Sequence, residues 1–139
     1  MSIYAKIVGN LTADPLKKTV KVGGEPRTIV EIRVFSDEYK KVGDELVQED
    51  DRCVGIDVTI WNERLGERVF KHLRKGARVR VEGDMVLRRF EDQDTNEQRA
   101  ALQLTADTVD LVLARLDEVK FTPSRAQREA SGQYDGQAA

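Results

Sequence analysis

The sequence predicts an all-β domain: a five-stranded Greek-key barrel with one α-helix between its third and fourth strands, followed by a disordered C-terminal tail. Three observations carry that prediction. Short runs such as Ile56–Trp61 and Ala77–Gly83 alternate apolar and polar residues with the period of two that a half-buried strand requires. The stretch between them has helical spacing instead, with Leu65, Val69, Phe70 and Leu73 on one stripe. From Thr122 the chain reads TPSRAQREASGQYDGQAA, which has no apolar periodicity and too few apolar residues to pack.

The first strand is expected over Ser2–Gly9, where Ile3, Ala5 and Ile7 alternate with Tyr4 and Lys6. Gly9-Asn10 allows a bend, Asp14-Pro15 interrupts pairing, and Leu16–Val22 resumes the strand. Gly23-Gly24 is a hairpin turn candidate leading into Arg27–Phe35, the second strand. There Val30, Ile32 and Val34 face the core, and Glu31, Arg33 and Phe35 face away. Ser36–Asp51 is polar, and Val42-Gly43-Asp44-Glu45 suits the tip of a protruding hairpin. Arg52–Trp61 is the third strand.

Asn62 is placed to cap the helix. Glu63 and Glu67 lie early in it and Lys71, His72, Arg74 and Lys75 late, as the macrodipole favours. Gly76 reads as the glycine that stops it. Ala77–Phe90 is long for one strand, so Gly83 is expected to mark a bulge. After the polar loop Glu91–Gln98, Arg99–Asp107 forms the last strand, with Leu102, Leu104 and Ala106 on one face, and Val109–Leu113 continues it. This order matches the OB-fold, whose helix would plug one end of the barrel. A five-stranded sandwich is the competing architecture. The domain is expected over 1–116 and a flexible tail over 117–139.

Composition bounds the function. The chain has 139 residues with 40% apolar and 35% charged residues, enough for one core under an ion-dense surface. A net charge of −2 argues against a uniformly polybasic nucleic-acid binder and leaves room for a local basic groove. The single cysteine, Cys53, excludes an internal disulfide framework and a cysteine-rich zinc site. The opening residues lack a secretory apolar segment, and no run approaches the ~18 apolar residues of a membrane span. A cytoplasmic protein is expected.

Several motifs stand in a recognisable order. Lys6-Ile7-Val8-Gly9-Asn10-Leu11 precedes Asp14-Pro15, Ser36-Asp37-Glu38-Tyr39 follows the second strand, and Leu73-Arg74-Lys75-Gly76 and Val81-Glu82-Gly83 come later. In that order and spacing, over residues 3–113, the chain resembles the bacterial single-stranded DNA-binding proteins. The resemblance implies an OB-fold that coats exposed strands during replication, repair, recombination or DNA transfer. It also implies self-association, typically as a homotetramer, with a homodimer as the smaller alternative, and no cofactor.

Binding single strands without sequence preference needs cations along the backbone path and flat rings for the bases. The resemblance places DNA-contacting aromatics at Trp61, Phe90 and Tyr39; the alternative for Trp61 is packing beneath the helix. Phe35 shares a strand face with Arg33 and would extend the platform or pack in a dimer. Arg33, Arg78, Arg80, Arg88 and Arg89 sit on strand faces as groove candidates, with Lys17 and Lys18 as a second group near the first strand. Arg88 and Arg89 are preferred because they adjoin Phe90, and a guanidinium can both bond phosphate and stack. Phe70 is assigned to the core.

Two features depart from the resembled family. Gly55 stands where many members carry a stacking aromatic, and the chain ends Tyr134-Asp135-Gly136-Gln137-Ala138-Ala139 rather than in an acidic cluster with a Pro- and Phe-bearing tip. Recruitment of replication or recombination proteins through the usual tail is therefore not carried over. A primosomal-type OB-fold accessory protein, acting mainly through protein contacts, is the alternative. No enzyme is expected. His72 reads as a surface residue balancing the helix dipole, and Cys53 as structural. Asp92-x-Asp94-x-Asn96 fails as a calcium loop, because Glu97 occupies the glycine position and Gln103 the bidentate glutamate position.

Overall fold

The computed structural model describes residues 3–37, 39–49 and 53–131. Ser2, Glu38, Asp51 and Arg52, named in the expectations above, and the last eight positions of the expected tail lie outside the described residues.

The described chain runs β1 (Ile3–Leu11), β2 (Leu16–Val22), β3 (Glu25–Ser36), β4 (Tyr39–Val42), β5 (Glu45–Gln48) and β6 (Val54–Ile60). Helix α1 (Glu63–His72) follows, then β7 (Arg78–Glu91), β8 (Gln98–Leu111), a 3-10 turn at Leu113–Arg115 and α2 (Arg125–Ser131). Six strands form one mixed sheet in the order β1-β7-β8-β6-β3-β2, while β4 and β5 pair as a separate hairpin. The pairings are antiparallel except β6 with β8, which run parallel.

This corrects the expected five-stranded closed barrel. The element order remains OB-fold-like, but the helix follows the sixth strand, not the third. Pro15 is one cause: it has no N–H to donate to a ladder, so β1 and β2 are separate strands. The intervening turn is pinned elsewhere. The Thr12 N–H donates to the Arg33 carbonyl at 3.0 Å, and the Asp14 carboxylate accepts the Lys75 N–H at 2.8 Å. The β4–β5 hairpin, with its tip at Val42–Glu45 as expected, adds two more strands that the count of five left out. Closure is also incomplete. β1 meets β3 only at Asn10↔Phe35 and Leu11↔Val34, a corner rather than a full seam.

The core lies where the period-two pattern placed it. Val30, Ile32 and Val34 of β3, Ile56, Val58 and Ile60 of β6, Val79 and Val81 of β7, and Leu104 of β8 are buried in one cluster with Leu11. Val69 and Leu73 join it from the helix side. Gly83 sits at the expected bulge, where the β7–β8 register shifts. A β-carbon at this position would run into the Thr105 carbonyl, so only glycine allows the two strands to approach there.

Asn62 caps α1 as expected, its side-chain oxygen accepting the Leu65 N–H at 3.0 Å. The helix stops before Gly76: Leu73 is already extended, and Gly76 forms the following turn with φ +91°. Phe70, assigned to the core from sequence, is 41% exposed. It lies at the margin of the apolar stripe. The expected tail is partly ordered, since Ser124 and Gln127 form a reciprocal cap on α2, at 3.2 and 2.9 Å.

Candidate nucleic-acid interface

Alternation along β3, β6 and β7 fixes which side chains share the outer face of the sheet. Arg33 and Phe35 point away from the buried Ile32 and Val34, opposite Asp57 and Gly55 of β6. β8 continues the same rows: Ile56 pairs with Leu102, and one step along, Gly55 neighbours Ala101, which pairs with Arg88. Phe35, Gly55, Ala101 and Arg88 therefore form one row across four strands. At ~4.8 Å per strand, Phe35 and Arg88 stand about 14 Å apart. Phe90 is on the Arg88 face two residues further on, opposite Arg99, and is 42% exposed. Arg89 alternates to the other face.

Gly55 gives this face its particular surface. With no side chain of its own it leaves room for the Arg33 guanidinium, whose Nη2 would lie only 2.7 Å from a β-carbon at this position. Asp57 holds that guanidinium through an ion pair of 2.6 Å. Both side chains are about half exposed, so the pair contributes at most about 1 kcal/mol to stability and acts chiefly by fixing orientation. A flat cation thus lies across the position that the sequence left without an aromatic.

Trp61 ends the opposite side of the same face. It stands six positions along β-like chain from Gly55, roughly 20 Å at ~3.3 Å per residue. It is half-buried, and the Arg27 guanidinium stands 6.0 Å from its ring centroid. Continuing the β3–β6 register places it across from Ile29, which is buried yet outside the main core cluster.

Tyr39 begins the β4–β5 hairpin and is 53% exposed. Its hydroxyl pKa is raised, first by the hydrogen bond to Asp37 and then by that carboxylate's charge. Asp37 is nearly buried and also lies 3.8 Å from Arg78, whose guanidinium donates to the Asn10 side chain at 3.3 Å. The chain Asn10–Arg78–Asp37–Tyr39 thus ties the base of the hairpin to β1 and β7. Sequence reasoning gave Asp37 no role; its only signal was the Ser36-Asp37-Glu38-Tyr39 motif.

The remaining basic candidates do not converge on one groove. Arg78 is engaged in that network, and Arg80 stands beside Val8 on the β1–β7 side. Lys18 pairs with Glu31 at 2.9 Å on β2, and the Lys17 ammonium lies 4.6 Å from the Phe70 ring centroid. Among the described residues, Arg80, Arg88 and Arg89 have no carboxylate partner within ion-pair distance. Arg99, missed from sequence, is engaged with Asp92 at 2.8 Å. Asp92 also accepts the Asp94 N–H at 2.9 Å, so its carboxylate shapes the β7–β8 turn. The Cys53 thiol donates to the Glu49 carbonyl at 3.1 Å, in keeping with a structural role. Among the described residues, no group of three or more His, Cys, Asp or Glu side chains is placed to hold a metal, and no helix is long and apolar enough to cross a membrane.

Comparison with known proteins gives a consistent result. The model of the single-strand binding protein family matches residues 4–112. A single-stranded DNA-binding protein of Treponema pallidum is 29% identical over 134 residues, 92% of this chain and 71% of that protein. Single-stranded DNA-binding protein 2 of Chlorobaculum tepidum is 30% identical over 109 residues, 78% of this chain and 70% of that protein. Among solved structures, the small single-stranded DNA-binding protein of Streptomyces coelicolor superposes with a TM-score of 0.68 at 18% identity, covering 82% of this chain and 97% of that one. The Plasmodium falciparum protein solved in complex with single-stranded DNA gives 0.59 at 14% identity, covering 81% of this chain and 95% of that one. The two structural likenesses speak to the fold.

Proposed function

Because the chain belongs to the single-strand binding protein family, we propose that it binds and protects single-stranded DNA without regard to sequence. Its work is binding rather than catalysis, in replication, repair, recombination or DNA transfer. The observation that carries this reading to particular residues is the shared outer face of β3, β6, β8 and β7. That face presents Arg33, Phe35, Arg88 and Phe90 near one end and Trp61 at the other. Rings and guanidinium planes stack on any base, and the cations meet the phosphates, so neither element reads sequence. Tyr39 would add a neutral, hydrogen-bonded ring at the base of the hairpin. Lys17, Lys18, Arg78, Arg80 and Arg89 would act peripherally, through charge.

The chain is read as self-associating, with a homotetramer as the preferred state. The Ile3–Val8 part of β1 supports this: among the described residues its backbone pairs with β7 on one side only. Cytoplasmic DNA is its expected setting. Competition in a gel-shift assay tests the function. A labelled single-stranded oligonucleotide should be displaced equally by single strands of unrelated sequence and poorly by duplex. Equal displacement by duplex would refute the reading.

A further inference from the structure

Trp61 and Phe70 each carry a cation over the ring, and of these two Trp61 lies on the face described above. Arg27 stands over Trp61, and Lys17 stands over Phe70. Lys17 and Lys18 are neighbours on β2 and alternate in direction. Lys18 is opposite Ile29, whose row continues to Trp61 on the outer face, while Lys17 is opposite Val30, a core residue covered by α1. β2 ends the order of the sheet, and among the described residues no strand pairs along its outer edge. Its lysine-bearing edge is therefore the crest between the Trp61 face and the Phe70 side.

We propose that Phe70 and Lys17 form a further nucleotide-binding subsite, reached by a DNA strand that passes over the β2 edge after leaving Trp61 and Arg27. This rests on the single-strand-binding reading above. The chemistry is that of a base and its phosphate. Phe70 lies at the margin of the α1 stripe and is 41% exposed, which leaves part of it open to a base. Lys17 holds its ammonium against that ring until a phosphate draws it away. Lys18, Lys21 and Arg27 supply further positive charge along the edge, with Lys18 partly balanced by Glu31. Glu63 and Glu67, earlier on α1, oppose it, so the subsite is an extension of the main face and not a substitute for it.

Oligonucleotide length separates this subsite from the main face. Wild type, Phe70→Leu, Phe70→Tyr and Lys17→Ala would be titrated with oligo-dT of about 8 and about 30 residues, one length within and one above the ~4–16 nucleotides that one OB fold holds. Phe70→Leu should leave the short ligand's affinity unchanged and weaken the long one roughly five- to tenfold, as expected for one lost stack. Phe70→Tyr should restore it, and Lys17→Ala should weaken the long ligand more than the short one. Lys17→Ala, on an exposed edge, also carries the test should Phe70→Leu fail to fold. Long-ligand affinity unchanged in both Phe70→Leu and Lys17→Ala would overturn the subsite while leaving the main reading intact. A change in oligomeric mass in place of the length effect would overturn it in favour of contact between copies. Failure of wild type to bind either length would overturn the parent reading and the subsite with it.

Discussion

At the scale of single residues, the outer face depends on what neighbouring side chains leave free. Arg33 lies flat because Gly55 offers no side chain and Asp57 holds the guanidinium. Gly55→Val should push the guanidinium off and lower affinity for oligo-dT severalfold, with a change in Tm of only a few degrees; gel shift and thermal melting check this together. Tyr39 gives a pH test. The raised pKa, caused first by the Asp37 hydrogen bond and then by its charge, means that the fold favours the neutral phenol. That contribution to stability is complete below the ordinary phenol pKa of about 10 and is lost as pH rises through the higher folded value. In Asp37→Asn one tyrosine should titrate earlier, measured as phenolate absorbance. Part of this scale was legible in sequence: the shared face of Arg33 and Phe35 follows from alternation alone. The Arg33–Gly55 contact was not, because it joins residues on separate strands, and Gly55 read only as a missing ring.

At the scale of elements, local chemistry explains both what the sequence foretold and what it hid. Asn62 caps α1 as its position implied, and Asn62→Ala should cost about 1 kcal/mol in chemical denaturation. Gly76 misled because a glycine after a helical stripe resembles a stop signal, whereas its positive φ serves the turn into β7. Phe70 misled for a related reason. Helical spacing gives a stripe but not its width, and Phe70 falls on the margin. The strand count differs because the break at Asp14-Pro15 makes β1 and β2 separate strands and because the foreseen hairpin contributes two strands of four residues, exposed throughout and with no alternation in burial. α2 was signalled by Ser124 and Gln127, but a polar seven-residue helix offers no periodicity to read. For the β7–β8 arm, Arg88→Ala should weaken binding and reduce the slope of log affinity against log salt by about 0.7, one phosphate contact.

At the scale of the molecule, one core of β-branched and leucine side chains supports the whole face. Ile56 sits beside Gly55 with its side chain fully inside, so Ile56→Ala should cost about 2–5 kcal/mol and lower the unfolding midpoint. A net charge of −2 does not conflict with DNA binding, because Arg88 and Arg80 remain unpaired among the described residues while many other charges neutralise one another locally. The central claim is that this face binds single-stranded DNA, and Trp61, the only tryptophan, reports on it directly. Tryptophan fluorescence titrated with oligo-dT at a series of salt concentrations is the most direct measurement. Saturable quenching is expected at low salt, with an affinity that falls with a log–log slope of roughly −0.7 per phosphate neutralised. Absence of saturable binding at low salt, by fluorescence and by gel shift alike, would contradict the central claim.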